Sequence, residues 1–367
     1  MKDLSKTVKP LNIVTWFAIV LFVLGFYGYK IESTNAPIPE NAFVSAIIGC
    51  RYVLIAVGAV LFLVSIFYGN IAFNGRFRWG DFVPYLFILP AIVFLSLFVV
   101  YPLINLIYLS LFRGSILNST KAFVGLQNFR NLRTDVSFWA SIRNTLVYTA
   151  AIVVIELSLA VLFALWVFKD NKVNRFMQIA IYAPHLIASI SVAFVFSWMF
   201  NSHSYGASNT LLGLFGIAPV EWLDSSKTAL GCIIFVSVWK NVGYRAIIIL
   251  SAMKAIPSEI YEAAELDGST PSRTFFKLTL PMLTPQLFFL LITTTIGSFK
   301  VFDVVNIMTD GGPGTSTEVI TRYIYHLTNV SNNTIGDSAA VSIVFVIILG
   351  FLSIFYFRML DKKVHYE

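Results

Sequence analysis

Residues 257–281 read PSEIYEAAELDGSTPSRTFFKLTLP. They interrupt a very apolar chain, between apolar stretches at about 230–252 and 284–308. Pro257 and Ser258 signal a helix start, with Ser258 as N-cap. Glu259 and Glu262 favour the first turn electrostatically. Ile260, Ala263 and Ala264 fall at helical spacing and share a face. Gly268 stops the helix as a left-handed cap. A second start follows, with Ser269 or Thr270 as cap and Pro271 at the first helical position. Pro281 leads into the next apolar stretch. The segment therefore predicts two short helices joined by a glycine elbow, lying at a membrane surface.

The rest of the chain supplies the membrane. Of 367 residues, 57% are hydrophobic and 12% charged, against about 25% charged in soluble domains. Mean hydropathy is +0.78. This is an all-α polytopic membrane protein. Eight candidate spans can be counted, at about 11–29, 52–72, 82–112, 144–168, 176–200, 230–252, 284–308 and 339–360. The third carries Pro84, Pro90 and Pro102, and a kink or a bent surface approach is expected there. The first follows Lys2, Lys6 and Lys9, but no small-residue cleavage site follows it, so it reads as a retained helix. Cys50 and Cys232 define neither a disulfide framework nor a metal site.

The net charge of +7 reads as lysine and arginine holding cytoplasmic loops at the inner leaflet, not as a nucleic-acid surface. Eight spans put both termini on one side, and the basic bias makes that side the cytoplasm. One loop runs against the bias: residues 113–143 carry Arg113, Lys121, Arg130, Arg133 and Arg143 on the outer side.

Several polar residues sit inside spans. Each central Lys, Arg or Asp costs roughly 2.5–3.5 kcal/mol to insert, so such residues face a bundle interior or a watery path. Lys240 with Tyr244, and Asn241 with Arg245, are i,i+4 pairs on adjoining stripes. The next span offers Thr295, Ser298, Phe299, Lys300 and Asp303, with Lys300 and Asp303 spaced to pair. Trp198, Trp239, Tyr244 and Phe299 offer flat aromatic faces. The candidate solute path is therefore Lys240, Asn241, Tyr244, Arg245, Thr295, Ser298, Phe299 and Asp303. Interhelical contacts are the competing account for each. Glu156, alone in its span, fits either.

Enzymatic motifs are missing. GGPGTST at 311–317 lacks the Gly-Lys-Ser/Thr of a phosphate loop and reads as a turn. His185, His203, His326 and His365 form no HExxH, and no GxSxG is present. The chain itself is expected to bind no cofactor and no metal.

The opening segment resembles the EAA loop of permease subunits of binding-protein-dependent ABC importers. That pattern is Glu-Ala-Ala, three residues, Gly, nine residues, Ile, one residue, Leu-Pro. Here Glu262, Ala263, Ala264, Gly268, Leu278, Leu280 and Pro281 keep every spacing, with Leu278 in place of Ile. FILPAIVFLSLFVVYPLINLIYLSLF, VGLQNFRNL, FWASIRNTLVYT and FKVFDVVNIMTDGGPGTSTEVI resemble the carbohydrate branch of that family, the maltose, lactose and glycerol-phosphate permeases of MalF type. The resemblance implies a six-helix core over 81–367, preceded by a two-helix extension over 1–80. It implies that Glu262, Ala263, Ala264, Glu265, Asp267 and Gly268 dock on a partner ATP-binding subunit dimer, which holds the ATP and Mg. It implies a second permease subunit, an extracellular solute-binding protein, a sugar as solute and a bacterial cell membrane as location. The large inserted outer domain of the best-known member is lacking here. Alternatives are an ABC permease for glycerol phosphate or a non-carbohydrate solute, or a secondary transporter. The last would show an internal inverted repeat with discontinuous helices, and the sequence displays none.

Overall fold

A computed structural model describes residues 83–114, 122–329 and 335–363, together with the single residues 20, 21, 25 and 57. Apart from those single positions, the spans expected at 11–29 and 52–72 lie outside the described residues. The chain divides into two compact units, residues 1–131 with 330–340, and residues 132–329 with 341–367.

In the first unit, α1 (Val83–Leu95) continues through a π-helical turn, Ser96–Val100, into α2 (Tyr101–Ser110). Phe87–Ser110 forms one helix of membrane length. Pro90 lies inside α1 and Pro102 opens α2. A wide π turn is one local adjustment by which a membrane helix accommodates a missing N–H donor. Every residue from Phe87 to Val100 is exposed, which suits acyl chains and not water. After α2, β1 (Phe112–Arg113) pairs antiparallel with β2 (Ala122–Phe123). The short α3 (Gln127–Asn131) buries Asn128, whose Nδ2 donates to the Ser110 and Phe112 carbonyls at 2.7 and 2.9 Å.

The second unit opens with α4 (Val136–Trp166). Asp135 caps it, accepting from the Ser137 and Phe138 amides at 2.9 and 3.1 Å. That cap starts the helix about two turns before the expected 144. Next come α5 (Lys172–Leu186) and α6 (Ser189–Met199), then the short α7 (Ala207–Leu214). The expectation of one continuous span at 176–200 is corrected: α5 and α6 meet at a 96° bend. Pro184 precedes the break, and a proline both removes a donor and clashes with the preceding turn. A discontinuous helix is thus present, though the sequence displayed none.

α8 (Ala229–Lys254) carries the core of this unit, packing on α4 and α5. Gly243 allows the approach to α5: a Cβ there would stand 1.7 Å from the Ile181 carbonyl oxygen. The segment 257–281 follows as α9 (Ser258–Leu266), α10 (Pro271–Thr274), a π turn Phe275–Thr279 and α11 (Leu280–Met282). Then come α12 (Thr284–Phe299), α13 (Asp303–Met308), α14 (Ile320–Asn329) and α15 (Ile335–Lys363). Six spans of the eight expected thus have helices of membrane length and composition, counting the bent pair as one.

Candidate functional site

Two features of the second unit answer to function. The first is the segment after α8. Ser258 is the first helical residue, and Pro257 holds the N-cap position with no side-chain cap, so the expected Ser258 cap is corrected. Pro257 supplies the extended backbone that a cap position needs, with ψ of 137°. The glycine elbow forms as a full Schellman closure. Gly268 has φ +67°, the Ser269 amide donates to the Ala264 carbonyl at 2.9 Å and the Gly268 amide to the Glu265 carbonyl at 3.0 Å. Thr270 caps α10, accepting from the Arg273 amide at 3.4 Å. Tyr261 anchors the segment, accepting from Thr279 Oγ1 at 3.4 Å and meeting Phe168 with ring centroids 6.4 Å apart.

Ala264 turns inward and is buried, whereas Glu262, Ala263, Glu265, Asp267 and Gly268 are exposed. The expected shared face of Ile260, Ala263 and Ala264 is therefore split. Leu266, which lies outside the expected docking set, is 90% exposed. Among the described residues nothing covers this leucine at the tip of the short acidic helix. In the sequence its exposure is signalled only by its phase on α9, two residues from the buried Ala264.

The second feature is a polar cavity of ≈ 320 Å³, within the range of small-ligand sites, about 300–1,000 Å³. Lys240, Asn241, Tyr244 and Arg245 reach it from α8, Ser298 from α12, and Asp303 from the start of α13. Thr295 and Phe299 do not line it. Thr295 Oγ1 instead donates to the Leu291 carbonyl at 2.7 Å and meets the Tyr356 hydroxyl at 3.1 Å, and Phe299 is buried. Of the expected ring faces only Tyr244 lines the cavity; Trp239 faces an apolar groove with Phe196 and Phe235.

Charge in the cavity is arranged by pairing. Glu156 of α4 is fully buried, and its Oε2 lies 3.2 Å from Arg245 Nε. Arg245 also donates to Thr294 Oγ1 at 2.7 Å and to the Asn241 carbonyl at 3.3 Å. Tyr148 donates its hydroxyl to Ser237 Oγ at 2.8 Å. Lys300 and Asp303 both line the cavity, but no ion pair joins them among the described residues. α12 ends at Phe299 and α13 begins at Asp303, so their three-residue spacing is not helical. His185 is missing from the expected path because a continuous span gives it no reason to meet α8. The bend brings it there: it stacks on Tyr244 with centroids 4.5 Å apart and planes 11° apart.

The turn at 309–319 is held by buried polar contacts. Asp310 (φ 48°), Gly311 (φ 80°) and Gly314 (φ 62°) take left-handed backbone. Arg322 bonds both Glu318 and Asp310. Asn144 Nδ2 donates to the Thr315 and Glu318 carbonyls at 2.8 and 3.0 Å. Burial raises the Glu318 carboxyl above the usual carboxylate range, against the opposing pull of Arg322.

Residues 156–366 match the family described as binding-protein-dependent transport system inner membrane component. The chain is 34% identical to the probable ABC transporter permease protein YurN of Bacillus subtilis, over 74% of this chain and 94% of that one. It is 31% identical to the trehalose/maltose transport system permease protein MalF of Thermococcus litoralis, over 74% and 91% of the two chains. It is 32% identical to the sulfoquinovosyl glycerol transport system permease protein SmoG of Agrobacterium fabrum, over 78% and 94%. Its fold is similar to a chain of a bacterial ABC transporter that imports the acidic polysaccharide alginate, with TM-score 0.70, 23% identity, and 82% of this chain and 99% of that one covered. A second structure of a bacterial alginate ABC transporter, in complex with a periplasmic protein carrying an alginate pentasaccharide, gives TM-score 0.69 at 24% identity, over 77% and 95%.

Proposed function

Because the chain belongs to the family of binding-protein-dependent transport system inner membrane components, we propose that it is the permease subunit of an ABC importer for an oligosaccharide or related polyol-like solute. Its relatives are named for trehalose/maltose, sulfoquinovosyl glycerol and sn-glycerol-3-phosphate transport. A cavity of amides, hydroxyls, charges and aromatic rings suits hydroxyl-rich solutes of that kind.

The observation that carries the coupled reading is the exposed α9 segment. It presents Glu262, Ala263, Glu265, Leu266 and Asp267 on a helix whose end is locked by Gly268. A separate ATP-binding subunit dimer holds ATP and Mg and grips this segment on the cytoplasmic side. A second permease subunit completes the pathway, and an extracellular solute-binding protein delivers solute. Both termini then lie in the cytoplasm. Residues 1–80 are an N-terminal two-helix extension, and 81–367 form the transport core. Closure of the ATPase dimer pulls on 258–268 and opens the spans outward; hydrolysis resets them. The working cycle is alternating access, with Lys240, Asn241, Tyr244, Arg245, Ser298 and Asp303 around the solute.

The test is isolation of the intact complex from membranes, followed by its ATP hydrolysis with the binding protein and trehalose, maltose, lactose or sn-glycerol-3-phosphate. Stimulation by a sugar supports the reading. Stimulation by glycerol phosphate alone moves the solute class. A preparation that never contains an ATPase removes the coupled mechanism.

A further inference from the structure

We propose that Lys240 is a positioning residue that holds the break between α5 and α6 against α8, and so sets one wall of the polar cavity. The last four carbonyls of any helix lack partners within it, and in a bilayer no water stands ready to replace them. At the end of α5 the Ile187 amide turns back to the Pro184 carbonyl at 3.3 Å, and Lys240 Nζ donates to the His185 carbonyl at 3.3 Å. Lys240 sits within α8 and is 8% exposed. Among the described residues no carboxylate lies within ion-pair distance of it. The group it does meet is the negative end of a helix, where cationic side chains are favoured. This accounts for a costly residue in a span alongside its place on the cavity wall.

The same turn of α8 grips the break at three more points. Asn241 Oδ1 lies 3.2 Å from His185 Nδ1. Tyr244 stacks on the His185 ring. Gly243 takes the α5 backbone at a distance that no side chain tolerates. His185 and Ser189, one on each side of the break, both line the cavity. The angle of the break therefore decides where those two groups stand relative to Asn241 and Tyr244. Lys240 acts through the main chain, giving one of its three ammonium N–H groups to the helix end.

The experiment measures the break directly, without solute, so that it succeeds or fails independently of the sugar reading. The full chain in lipid nanodiscs, with Cys50→Ala and Cys232→Ala, carries nitroxides at the exposed positions Phe176 on α5 and Phe194 on α6. Electron–electron double resonance reads the distance between them. Lys240→Arg, which keeps a cationic donor, is expected to keep the parent distribution. Lys240→Met, which keeps bulk without a donor, is expected to broaden it or add a second population. His185→Ala removes the ring contacts and leaves the main-chain carbonyl, so its distribution is expected to broaden less than that of Lys240→Met. An unchanged Lys240→Met distribution overturns the proposal, as does a Lys240→Arg shift as large as that of Met. A His185→Ala chain whose break opens as far as that of Lys240→Met also overturns it, since the ring and not Lys240 would then be the main hold on the bend.

Discussion

Glu156 on α4 and Arg245 on α8 meet at 3.2 Å, with the carboxylate fully buried and the guanidinium nearly so. Among the described residues that carboxylate accepts no hydrogen bond, so the ion pair is its compensation. Breaking a buried pair by removing one partner costs about 3–5 kcal/mol, because the other charge is left stranded, whereas replacing both with apolar groups is often near neutral. Glu156→Leu is thus expected to lower the melting temperature of the purified chain sharply, and Glu156→Leu with Arg245→Met to recover most of the loss. Thermal denaturation in detergent reads both. Additive losses in the double variant would mean that the two residues are not coupled.

Leu266 and Gly268 separate docking from folding. Leu266 is 90% exposed, so Leu266→Asp is expected to leave the melting of the isolated permease within about 0.5 kcal/mol. At a desolvated interface centre the same change costs about 2 kcal/mol or more, roughly a thirtyfold loss of affinity. Co-purification of the ATP-binding subunit should fall accordingly. Gly268 has open space for a Cβ but a φ of +67°, so Gly268→Ala strains the elbow by about 1 kcal/mol. Gly268→Pro cannot form it at all. Retention of the ATPase by Leu266→Asp at wild-type yield would place the contact elsewhere.

The segment 257–281 was legible because its signals are local: a proline start, a glycine in left-handed backbone, a threonine before a proline. The spans were legible because composition over about 20 residues decides whether a helix suits a bilayer. That same averaging hid the break at Ile187 and Ala188, since apolar residues on both sides score alike whether the helix runs straight or turns by 96°. It also hid why His185 matters, because a stacked ring on Tyr244 depends on that turn. Glu156 and Arg245 lie too far apart in the chain for any spacing rule to join them. Lys300 and Asp303 failed in the opposite way: their spacing suggested a helical pair, and the helix stops between them. Ser258 lost the cap because Pro257 already supplies the extended backbone there.

Two glycines on α8 test the packing argument against each other. A Cβ at Gly243 would stand 1.7 Å from Ile181 O and 2.4 Å from Ile181 C, both backbone atoms of α5. Helix and helix must then part, and close contacts through small residues are what hold membrane helices together. Gly243→Ala is expected to cost about 1–3 kcal/mol or more and to lower the yield of folded protein. Gly231 has nothing within 4 Å of its added Cβ, so Gly231→Ala should be neutral, or stabilising by up to about 1 kcal/mol from helix propensity. Size-exclusion profiles and melting curves of the two variants decide it. Equal behaviour would mean that α5 does not press on α8 at this point.

Glu318 gives the pH-dependent prediction. Its side chain is buried beside Arg322 in the turn before α14, and burial holds its carboxyl above the ordinary value despite the arginine's pull. The folded chain then binds this proton more tightly than the unfolded chain does. Linkage makes the contribution fully present below the unfolded value, about 4.3 for a glutamate, and lost as pH rises through the elevated folded value. Glu318→Gln keeps the shape and removes the titration. The wild type should therefore lose stability relative to Glu318→Gln as pH is raised from about 4, with the difference levelling once the folded carboxyl has ionised. Melting temperatures of both chains across that range in one detergent provide the measurement. A wild type that instead gains on the glutamine variant as pH rises would show that the attraction of Arg322 outweighs the cost of burying the charge.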